Sequence, residues 1–371
     1  MSFPFLRSDE GTSMMSVVIA AGGTGGHLYP ALALAEEFRR QDPETAVTFV
    51  GTGKRLETMI LGNSSFVVES LDVQGVLGRG GRAVAALARL PRAIGQAIRM
   101  LRRARAELVI GTGGYVSPPV VVAAWLLGIA RVLVEPNAMP GLANRLLSPL
   151  VHRIFLAFEG AQTYFPRAKI RVVGTPLRRA FLEEPPALPE RVKTLFVCGG
   201  SQGARAINEA MIAVMRGSRI IRETVDVIHQ TGEEDYIRVQ QAYHDLDVSV
   251  RVVPFVSDMP TVLREADVVV ARSGAGTLAE LAAYGRPAIL IPFPHAAHGH
   301  QEKNAREVEA AGAAIVVPQA ELTGQRLAKV LETLMRDPAR LQRMAACSLA
   351  RRRSDATQRV VRECRQLLGK R

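Results

Sequence analysis

The sequence predicts an α/β protein with two Rossmann-like domains whose parallel sheets face each other across a cleft. Three observations support this fold class. The 371 residues are more than one hydrophobic core normally organises, so two domains are expected. Short apolar runs alternate with helical patterns in both halves, and each half opens with a buried strand that leads into a glycine-rich turn. A proline-rich stretch separates the halves.

The first half contains a short extension and the first domain. Residues 1–14 are predicted to form a loose extension, and residues 15–176 to form the domain. Its strands are predicted at residues 17–19, 47–50, 66–71, 108–110, 131–135, 151–157 and 170–173. Helical patterns occupy most of the intervals, and strand, helix and strand at this spacing predict a parallel sheet covered on both faces.

The second half begins after a linker at residues 177–190, where three prolines interrupt the periodicity. The second domain is predicted over residues 191–351, with strands at residues 194–197, 225–228, 250–253, 268–271, 288–291 and 314–317. Residues from about 322 to 371 have a helical pattern that is polar on one face. We expect the last helix, at about 352–371, to pack back on the first domain.

The first glycine-rich turn, Gly22–His27, carries four glycines, a threonine and a histidine between a strand and a helix. Glycine permits close approaches that a Cβ forbids. The start of a helix offers unpaired N–H groups and the positive end of a dipole, which suit an anion or a sugar hydroxyl. His27 adds a group that exchanges a proton near neutral pH. Such turns are also common in doubly wound folds for structural reasons, so the pattern alone leaves the function open.

Two further turns follow strands of the second domain. The turn at residues 199–204 places the Ser201 hydroxyl and backbone N–H groups at a helix start, which suits a phosphate or simply a capped tight turn. The turn at residues 272–277 is followed by Glu280. A carboxylate there can accept hydrogen bonds from both hydroxyls of a ribose, or can merely favour the helix dipole. Both interpretations of each turn stay open on these residues alone.

A metal site is not predicted. His295, His298 and His300 crowd one loop, but no cysteine or carboxylate completes a recognisable ligand spacing, so contacts to a sugar are expected instead. The single Asp-x-Asp sequence, at residues 245–247, lies between a polar helix and a strand and is interpreted as a solvated turn. No essential cofactor is expected.

The charge balance favours an anionic partner, because 47 Lys and Arg residues face 35 Asp and Glu residues and give a net charge of +12. Residues 73–106 hold eight arginines and no acid. One helical face is predicted to carry Val84, Leu87, Pro91, Ile94, Ile98 and Leu101, with Arg82, Arg89, Arg92, Arg99 and Arg103 opposite. This basic face is interpreted either as solvated or as a contact with anionic lipid. Nucleic acid is not expected, since aromatic residues are sparse and no binding motif is present.

Membrane contact is predicted to be peripheral. The best candidate for a spanning segment, residues 116–130, contains two prolines and is shorter than the roughly 20 apolar residues that a bilayer requires. No signal peptide is evident, because acidic residues interrupt the N-terminal stretch. The three cysteines lack metal or redox spacing and fit a reducing compartment.

The order and spacing of the motifs resemble those of the MurG family of peptidoglycan N-acetylglucosaminyltransferases over nearly all of residues 16–371. The motifs lie at residues 22–30, 111–117, 135–144, 174–178, 199–208, 255–259, 272–280 and 300–304. The resemblance implies a GT-B fold and an inverting hexosyltransferase that acts at the cytoplasmic face of the inner membrane as a peripheral protein. The implied donor is UDP-N-acetylglucosamine, and the implied acceptor is the 4-hydroxyl of undecaprenyl-diphosphate-linked N-acetylmuramoyl pentapeptide.

The resemblance also implies roles for individual residues. His27 is the implied general base, with Glu135 as its rival. Donor contacts are implied for Thr24, Gly25, Gly26, Asn137, Arg178, Ser201, Gln202, Val256, Ala275, Thr277, Glu280, His300 and Gln301. Acceptor contacts are implied for Gly23, Tyr115 and Asn144. Helix N-termini and Arg178 would stabilise the leaving diphosphate without a metal.

Other functions remain compatible with a two-domain fold of this kind. A UDP-N-acetylglucosamine 2-epimerase would need neither a lipid acceptor nor a basic amphipathic face. A transferase that acts on another lipid, such as diacylglycerol, would use a similar first turn. A non-catalytic sugar-nucleotide-binding protein would bind the nucleotide without turnover.

Overall fold

The computed structural model describes residues 14–62, 64–73 and 89–369, and within them two parallel sheets. The first sheet has seven strands in the order β3-β2-β1-β4-β5-β6-β7. Their bounds are β1 Ser16–Ala20, β2 Ala46–Gly51, β3 Val67–Ser70, β4 Leu108–Gly111, β5 Ala130–Glu135, β6 Arg153–Leu156 and β7 Ile170–Val172. The helices of this half are α1 Gly25–Gln41, α2 Arg55–Leu61, α3 Leu90–Arg103, α4 Ser117–Leu126 and α5 Leu142–Leu147.

The second sheet has six strands in the order β10-β9-β8-β11-β12-β13. Their bounds are β8 Thr194–Cys198, β9 Asp226–Gln230, β10 Val250–Val253, β11 Val268–Ala271, β12 Ala288–Leu290 and β13 Ala314–Val316. The helices are α6 Arg205–Gly217, α7 Arg219–Thr224, α8 Tyr236–His244, α9 Met259–Glu265, α10 Ala275–Ala283, α11 His300–Ala310, α12 Gly324–Arg336, α13 Pro338–Ala350 and α14 Ala356–Leu367. The predicted fold class, two Rossmann-like domains with parallel sheets, is confirmed.

The central strand β1 explains why a continuous apolar run forms here. It pairs in parallel with β2 on one side and β4 on the other. Val17 and Ile19 enter one hydrophobic core, whereas Val18 and Ala20 enter the core on the opposite face. Because successive side chains of a strand point to opposite faces, a strand covered on both faces must be apolar at every position. Both glycine-rich turns that open the halves therefore follow interior strands, β1 and β8.

The last helix, α14, crosses back to the first domain. Val360, Val361 and Cys364 are fully buried in the core that also contains residues of α1. The linker is held from both sides. Its Phe181 is buried in a core of the second domain, and the Leu177 N–H donates to the Thr357 hydroxyl oxygen at 3.1 Å.

The basic segment is described only from residue 89 onward, and residues 1–13 and 74–88 lie outside the described residues. The predicted extension, apart from residue 14, therefore lies outside the described residues. Arg82, Val84 and Leu87 also lie outside them. In α3 the face predicted from sequence needs correction, because Pro91 is exposed in the first turn, where its missing N–H has no helical partner to lose. The buried face consists of Ala93, Ala97, Met100 and Leu101, flanked by half-buried Ile94 and Ile98. Among the described arginines of this helix and its start, Arg89, Arg92, Arg99 and Arg103 are exposed.

Candidate active site

A cleft of about 930 Å³ lies between the carboxyl ends of the two sheets. The start of α1 lines it from the first domain, and the turns that follow β8 and β11 line it from the second. Every residue predicted for the donor lies along this cleft: Thr24, Gly25, Gly26, Asn137, Arg178, Ser201, Gln202, Val256, Ala275, Thr277, Glu280, His300 and Gln301. His27 also lines it, whereas four residues of the first domain are not among its lining residues: Gly23, Tyr115, Glu135 and Asn144.

The first glycine-rich turn is held by Glu57, a residue that the sequence did not single out. The carboxylate of Glu57 accepts hydrogen bonds from the N–H groups of Gly23, Thr52 and Gly53 and from the Thr52 hydroxyl. Glu57 is buried, and four donors compensate the cost of burying its charge. The only signal in the sequence is an acid shortly after β2. Its meaning depends on the pairing of β2 with β1, which brings both strand ends together.

The imidazole of His27 is held in one tautomer. Its Nδ1 lies 2.6 Å from the carbonyl oxygen of Thr112, and a carbonyl can only accept, so Nδ1 carries the hydrogen. Nε2 is then the unprotonated nitrogen, and no hydrogen-bond partner of Nε2 is found among the described residues. Burial lowers the pKa of His27, and the bond to Thr112 acts in the opposite direction. The ring is thus neutral near pH 7 and retains a basic nitrogen in a residue that lines the cleft.

The seat of this ring requires a glycine at position 113. Gly113 has a φ of +104°, and a Cβ there would lie 2.8 Å from His27 Cε1 and 3.0 Å from Nδ1. Contacts that short are repulsive, so any larger residue displaces the imidazole. Gly113, in the turn after β4, therefore leaves the space that the His27 imidazole occupies.

Glu135, the alternative base, lies at the end of β5 with 1% of its surface exposed. Its Oε1 accepts from the N–H and Nδ2 of Asn137, and its Oε2 accepts from the Gly141 N–H and from Asn144 Nδ2. Burial raises the pKa of Glu135 to about 7, and these four bonds act against the shift. The carboxylate thereby organises the loop between Glu135 and α5.

The predicted acceptor residues lie around the first turn. Tyr115 packs beside Gly23, whose added Cβ would lie 3.7 Å from the tyrosine oxygen. The Lys54 ammonium donates to that oxygen at 2.5 Å. Asn144 is buried, and its Oδ1 has no hydrogen-bond partner among the described residues.

Glu280 presents a carboxylate to the cleft from α10, near the guanidinium of Arg178. Burial raises the pKa of Glu280 to about 7, and the positive charge of Arg178 acts against the shift. Arg178 itself stacks on Tyr29 of α1, with 5.1 Å between its Cζ and the ring centroid. The arrangement brings one acid and one cation from different segments to the same region of the cleft.

The turn after β8 brings Ser201 close to the first domain. A Cβ added at Gly25 would lie 4.0 Å from the Ser201 hydroxyl oxygen, so the two glycine-rich turns face each other. Gly203 packs directly on the backbone at Thr231, where an added Cβ would come within 1.9 Å of a carbonyl oxygen. The Gln230 amide donates to the Gly200 carbonyl oxygen at 3.0 Å and supports the turn from below.

The start of α11 contributes His300 and Gln301. His300 Nδ1 lies 2.8 Å from the Ala297 carbonyl oxygen, which fixes its tautomer as in His27. Gln301 accepts the Phe293 N–H through Oε1, so its side-chain N–H₂ group remains for a ligand. Arg272, which also lines the cleft and was not predicted, donates to the carbonyl oxygens of Ile291 and Pro292 and to Gln319. Burial lowers the pKa of Arg272 to about 10, which leaves it charged at neutral pH.

Metal-ligand geometry is absent from residues 14–62, 64–73 and 89–369, where no three His, Cys, Asp or Glu side chains converge on one point. That no metal is essential stays a prediction. Over the same part of the chain, no helix has both the length and the apolar composition needed to cross a bilayer.

Two family models match the chain, one in each domain. The N-terminal domain of glycosyltransferase family 28 matches residues 17–156, and the C-terminal domain of that family matches residues 194–360. A relative from Syntrophus aciditrophicus is 40% identical over 355 residues, which are 95% of this chain and 98% of the relative. Its name is UDP-N-acetylglucosamine–N-acetylmuramyl-(pentapeptide) pyrophosphoryl-undecaprenol N-acetylglucosamine transferase.

Solved structures agree on the fold. Acinetobacter baumannii MurG superposes with a TM-score of 0.76 at 29% identity, covering 95% of this chain and 99% of its own. A Listeria monocytogenes structure described as a putative UDP-N-acetylglucosamine 2-epimerase superposes with a TM-score of 0.68 at 14% identity, covering 96% and 97%. At that identity the likeness extends to the fold alone, whereas the Syntrophus relative is 40% identical over nearly the whole length of both chains. The chain therefore belongs to the MurG family within glycosyltransferase family 28.

Proposed function

We propose that this protein transfers N-acetylglucosamine from UDP-N-acetylglucosamine to the 4-hydroxyl of undecaprenyl-diphosphate-linked N-acetylmuramoyl pentapeptide. One observation carries the proposal beyond family membership: a single cleft is lined by His27, by Glu280 and by the helix starts that follow the glycine-rich turns. These are the parts that a sugar-nucleotide transferase needs, namely a base for the acceptor hydroxyl and a seat for the donor.

The second domain is proposed to hold the donor. The Glu280 carboxylate has no hydrogen-bond partner among the described residues, so both oxygens can accept from the ribose hydroxyls. The backbone at Val256 would read the uracil. Ser201 and Gln202, at the turn before α6, would contact the diphosphate together with Arg178. Ala275, Thr277, His300 and Gln301 would contact the diphosphate or the sugar hydroxyls.

The first domain is proposed to hold the acceptor and the base. His27 is the better candidate for the general base, because it lines the cleft and its Nε2 is unprotonated, whereas Glu135 is not among the lining residues and both of its oxygens accept internal hydrogen bonds. A neutral imidazole can take the proton of the attacking hydroxyl as the glycosidic bond forms. Gly23, Tyr115 and Asn144 would lie along the acceptor, and Lys54 adds a cation beside Tyr115.

Departure of UDP requires stabilisation of its negative charge. The helix starts at α6, α10 and α11 point N–H groups toward the cleft, and Arg178 adds a fixed positive charge. We propose that these groups suffice without an essential metal.

Transfer is tested with labelled UDP-N-acetylglucosamine and a short-chain lipid-linked muramoyl acceptor. We expect product from the wild type and a loss of about 10²–10⁴-fold in kcat for His27→Ala. Absence of transfer by the wild type would refute the proposed function. Conversion of UDP-N-acetylglucosamine to its 2-epimer without any acceptor and without net release of UDP would instead identify an epimerase.

A peripheral contact with anionic lipid is proposed for the surface formed by α3, α4 and α5, in which α4 packs against both of the other helices. Arg89, Arg92 and Arg99 are exposed there, next to helices that expose Trp125 and Leu146. Cations beside aromatic and aliphatic side chains suit the interface of an anionic membrane. For a member of the MurG family, the membrane surface contacted would be the cytoplasmic face of the inner membrane.

Vesicle sedimentation tests this contact. Replacing Arg89, Arg92 and Arg99 with Gln should weaken binding to anionic vesicles by about a hundredfold at low salt, since each cation near the surface contributes about 1 kcal/mol. A matched control replaces Arg191, Arg216 and Arg343, which are exposed on the second domain, and removes the same charge. Equal losses in the two triple variants would reduce the effect to net charge and contradict a local contact.

A further inference from the structure

Asn304 lies on α11 of the second domain and is fully buried, with 0% of its surface exposed. Its side chain uses both ends. Oδ1 accepts the Ala138 N–H at 2.8 Å, and Nδ2 donates to Asn137 Oδ1 and to the Ser273 carbonyl oxygen, each at 3.2 Å. Asn137 and Ala138 belong to the first domain, whereas Ser273 belongs to the turn that precedes α10. One side chain therefore ties the acceptor-side loop to a turn of the donor side.

From Asn137 the hydrogen bonds continue into the first domain. Asn137 Nδ2 donates to Glu135 Oε1, and Asn144 Nδ2 donates to Glu135 Oε2. Asn144 lies beside Gly113, where an added Cβ would be 3.6 Å from its Nδ2 and 2.8 Å from His27 Cε1. A continuous set of buried polar contacts thus leads from the donor turn to the surroundings of the base.

We propose that Asn304 is a positioning residue, which sets the distance and orientation between the donor held by the second domain and the acceptor and base held by the first. This proposal rests on the proposed transfer reaction. Asn304 is not itself among the residues that line the cleft, so it acts through Asn137, Ala138 and Ser273. Transfer between two bound substrates is sensitive to such placement, because a misplacement of about 1 Å can lower the rate by about a hundredfold.

A role in holding the two domains together does not by itself account for the contacts of Asn304. Lys303, its neighbour on α11, also crosses the interface and contacts Tyr164 and Met139 at 3.3 Å and 3.5 Å. Those contacts are exposed and lie away from the turn at Ser273. Lys303→Met therefore removes an interdomain contact of the same helix without touching the polar set, and it serves as the matched control.

The test compares Asn304→Ala, Asn304→Ser and Lys303→Met with the wild type. UDP affinity is measured by calorimetry without acceptor, and transfer is measured at saturating donor and acceptor. We expect both Asn304 variants to bind UDP within about threefold of the wild type, since the nucleotide contacts remain, and to lose about a hundredfold in kcat. Lys303→Met should retain kcat within about threefold. UDP binding also reports that the second domain is folded. If Asn304→Ala does not fold, Asn304→Ser replaces it in the test, because serine keeps a polar group at this position.

A double-mutant cycle with Asn137→Ala separates positioning from independent effects. If the two asparagines act as one connection, the double variant should lose no more kcat than the worse single variant. A full kcat in the folded Asn304 variants, or a loss of UDP affinity equal to the loss of kcat, would overturn the proposal. Failure of the wild type to transfer would count against the proposed function instead, because the same series measures it.

Discussion

Replacing Gly113 with Ala should damage catalysis through His27 without touching the donor site. The new Cβ would lie 2.8 Å from His27 Cε1, whereas carbon atoms in contact prefer about 3.5–4.0 Å. The ring must therefore move by roughly 0.7–1.2 Å, away from a position in which Nδ1 lies 2.6 Å from the Thr112 carbonyl oxygen. A shift of that size costs about a hundredfold in kcat, equivalent to about 2.7 kcal/mol of transition-state stabilisation.

Backbone strain needs its own control, because alanine is unfavourable at a positive φ by about 1–2 kcal/mol. Gly128 provides it, since its φ is +71° and no heavy atom lies within 4 Å of an added Cβ. Gly128→Ala should lose a similar amount of stability in thermal unfolding and keep its kcat.

The assay is the acceptor-dependent transfer of labelled N-acetylglucosamine, with UDP affinity measured in parallel. We expect Gly113→Ala to keep UDP affinity within about threefold, because the donor residues of the second domain are unchanged. A Gly113→Ala protein with the kcat of the wild type would refute the reasoning that the exact place of the imidazole matters. A loss shared equally by Gly128→Ala would assign the effect to backbone strain.

Two further predictions follow from buried carboxylates. Glu280 must be ionised to accept from both ribose hydroxyls, and its pKa is raised to about 7, so UDP affinity should fall as the pH drops below about 7. Glu280→Gln should bind UDP about ten- to a hundredfold more weakly at pH 8 and lose this pH dependence. The control Glu302→Gln, at a half-exposed position of α11 that pairs with Arg306, should keep the UDP affinity and the pH dependence of the wild type. Glu57→Gln should lower the free energy of unfolding by about 1–3 kcal/mol in urea titrations, because an amide cannot accept hydrogen bonds from all four donors. Glu44→Gln, at an exposed position, is the control. An equal urea midpoint for the two variants would contradict the role of Glu57.

The sequence by itself determined the elements and their class. Apolar runs such as residues 17–20 are stable in the interior of a sheet that is covered on both faces. The predicted strands agree with the observed bounds to within two residues. The glycine-rich turns could also be predicted, because a turn between a strand and a helix is specified by residues that are adjacent in the sequence. The face of α3 was predicted less well, because the small residues Ala93 and Ala97 are buried, whereas Pro91 lies exposed in the first turn of the helix.

Only the tertiary structure decided which side chains meet. His27 is 85 residues from the carbonyl that fixes its tautomer, and Ala138 is 166 residues from Asn304. Glu57 reaches the first turn only because β2 pairs in parallel with β1. Periodicity reports which face of an element is buried, but it carries no information about register or about the approach of two domains. The residues that support the site could therefore not be predicted from the sequence, because their contacts are long-range. Most of the residues that line the site could be predicted, because they belong to turns that follow strands.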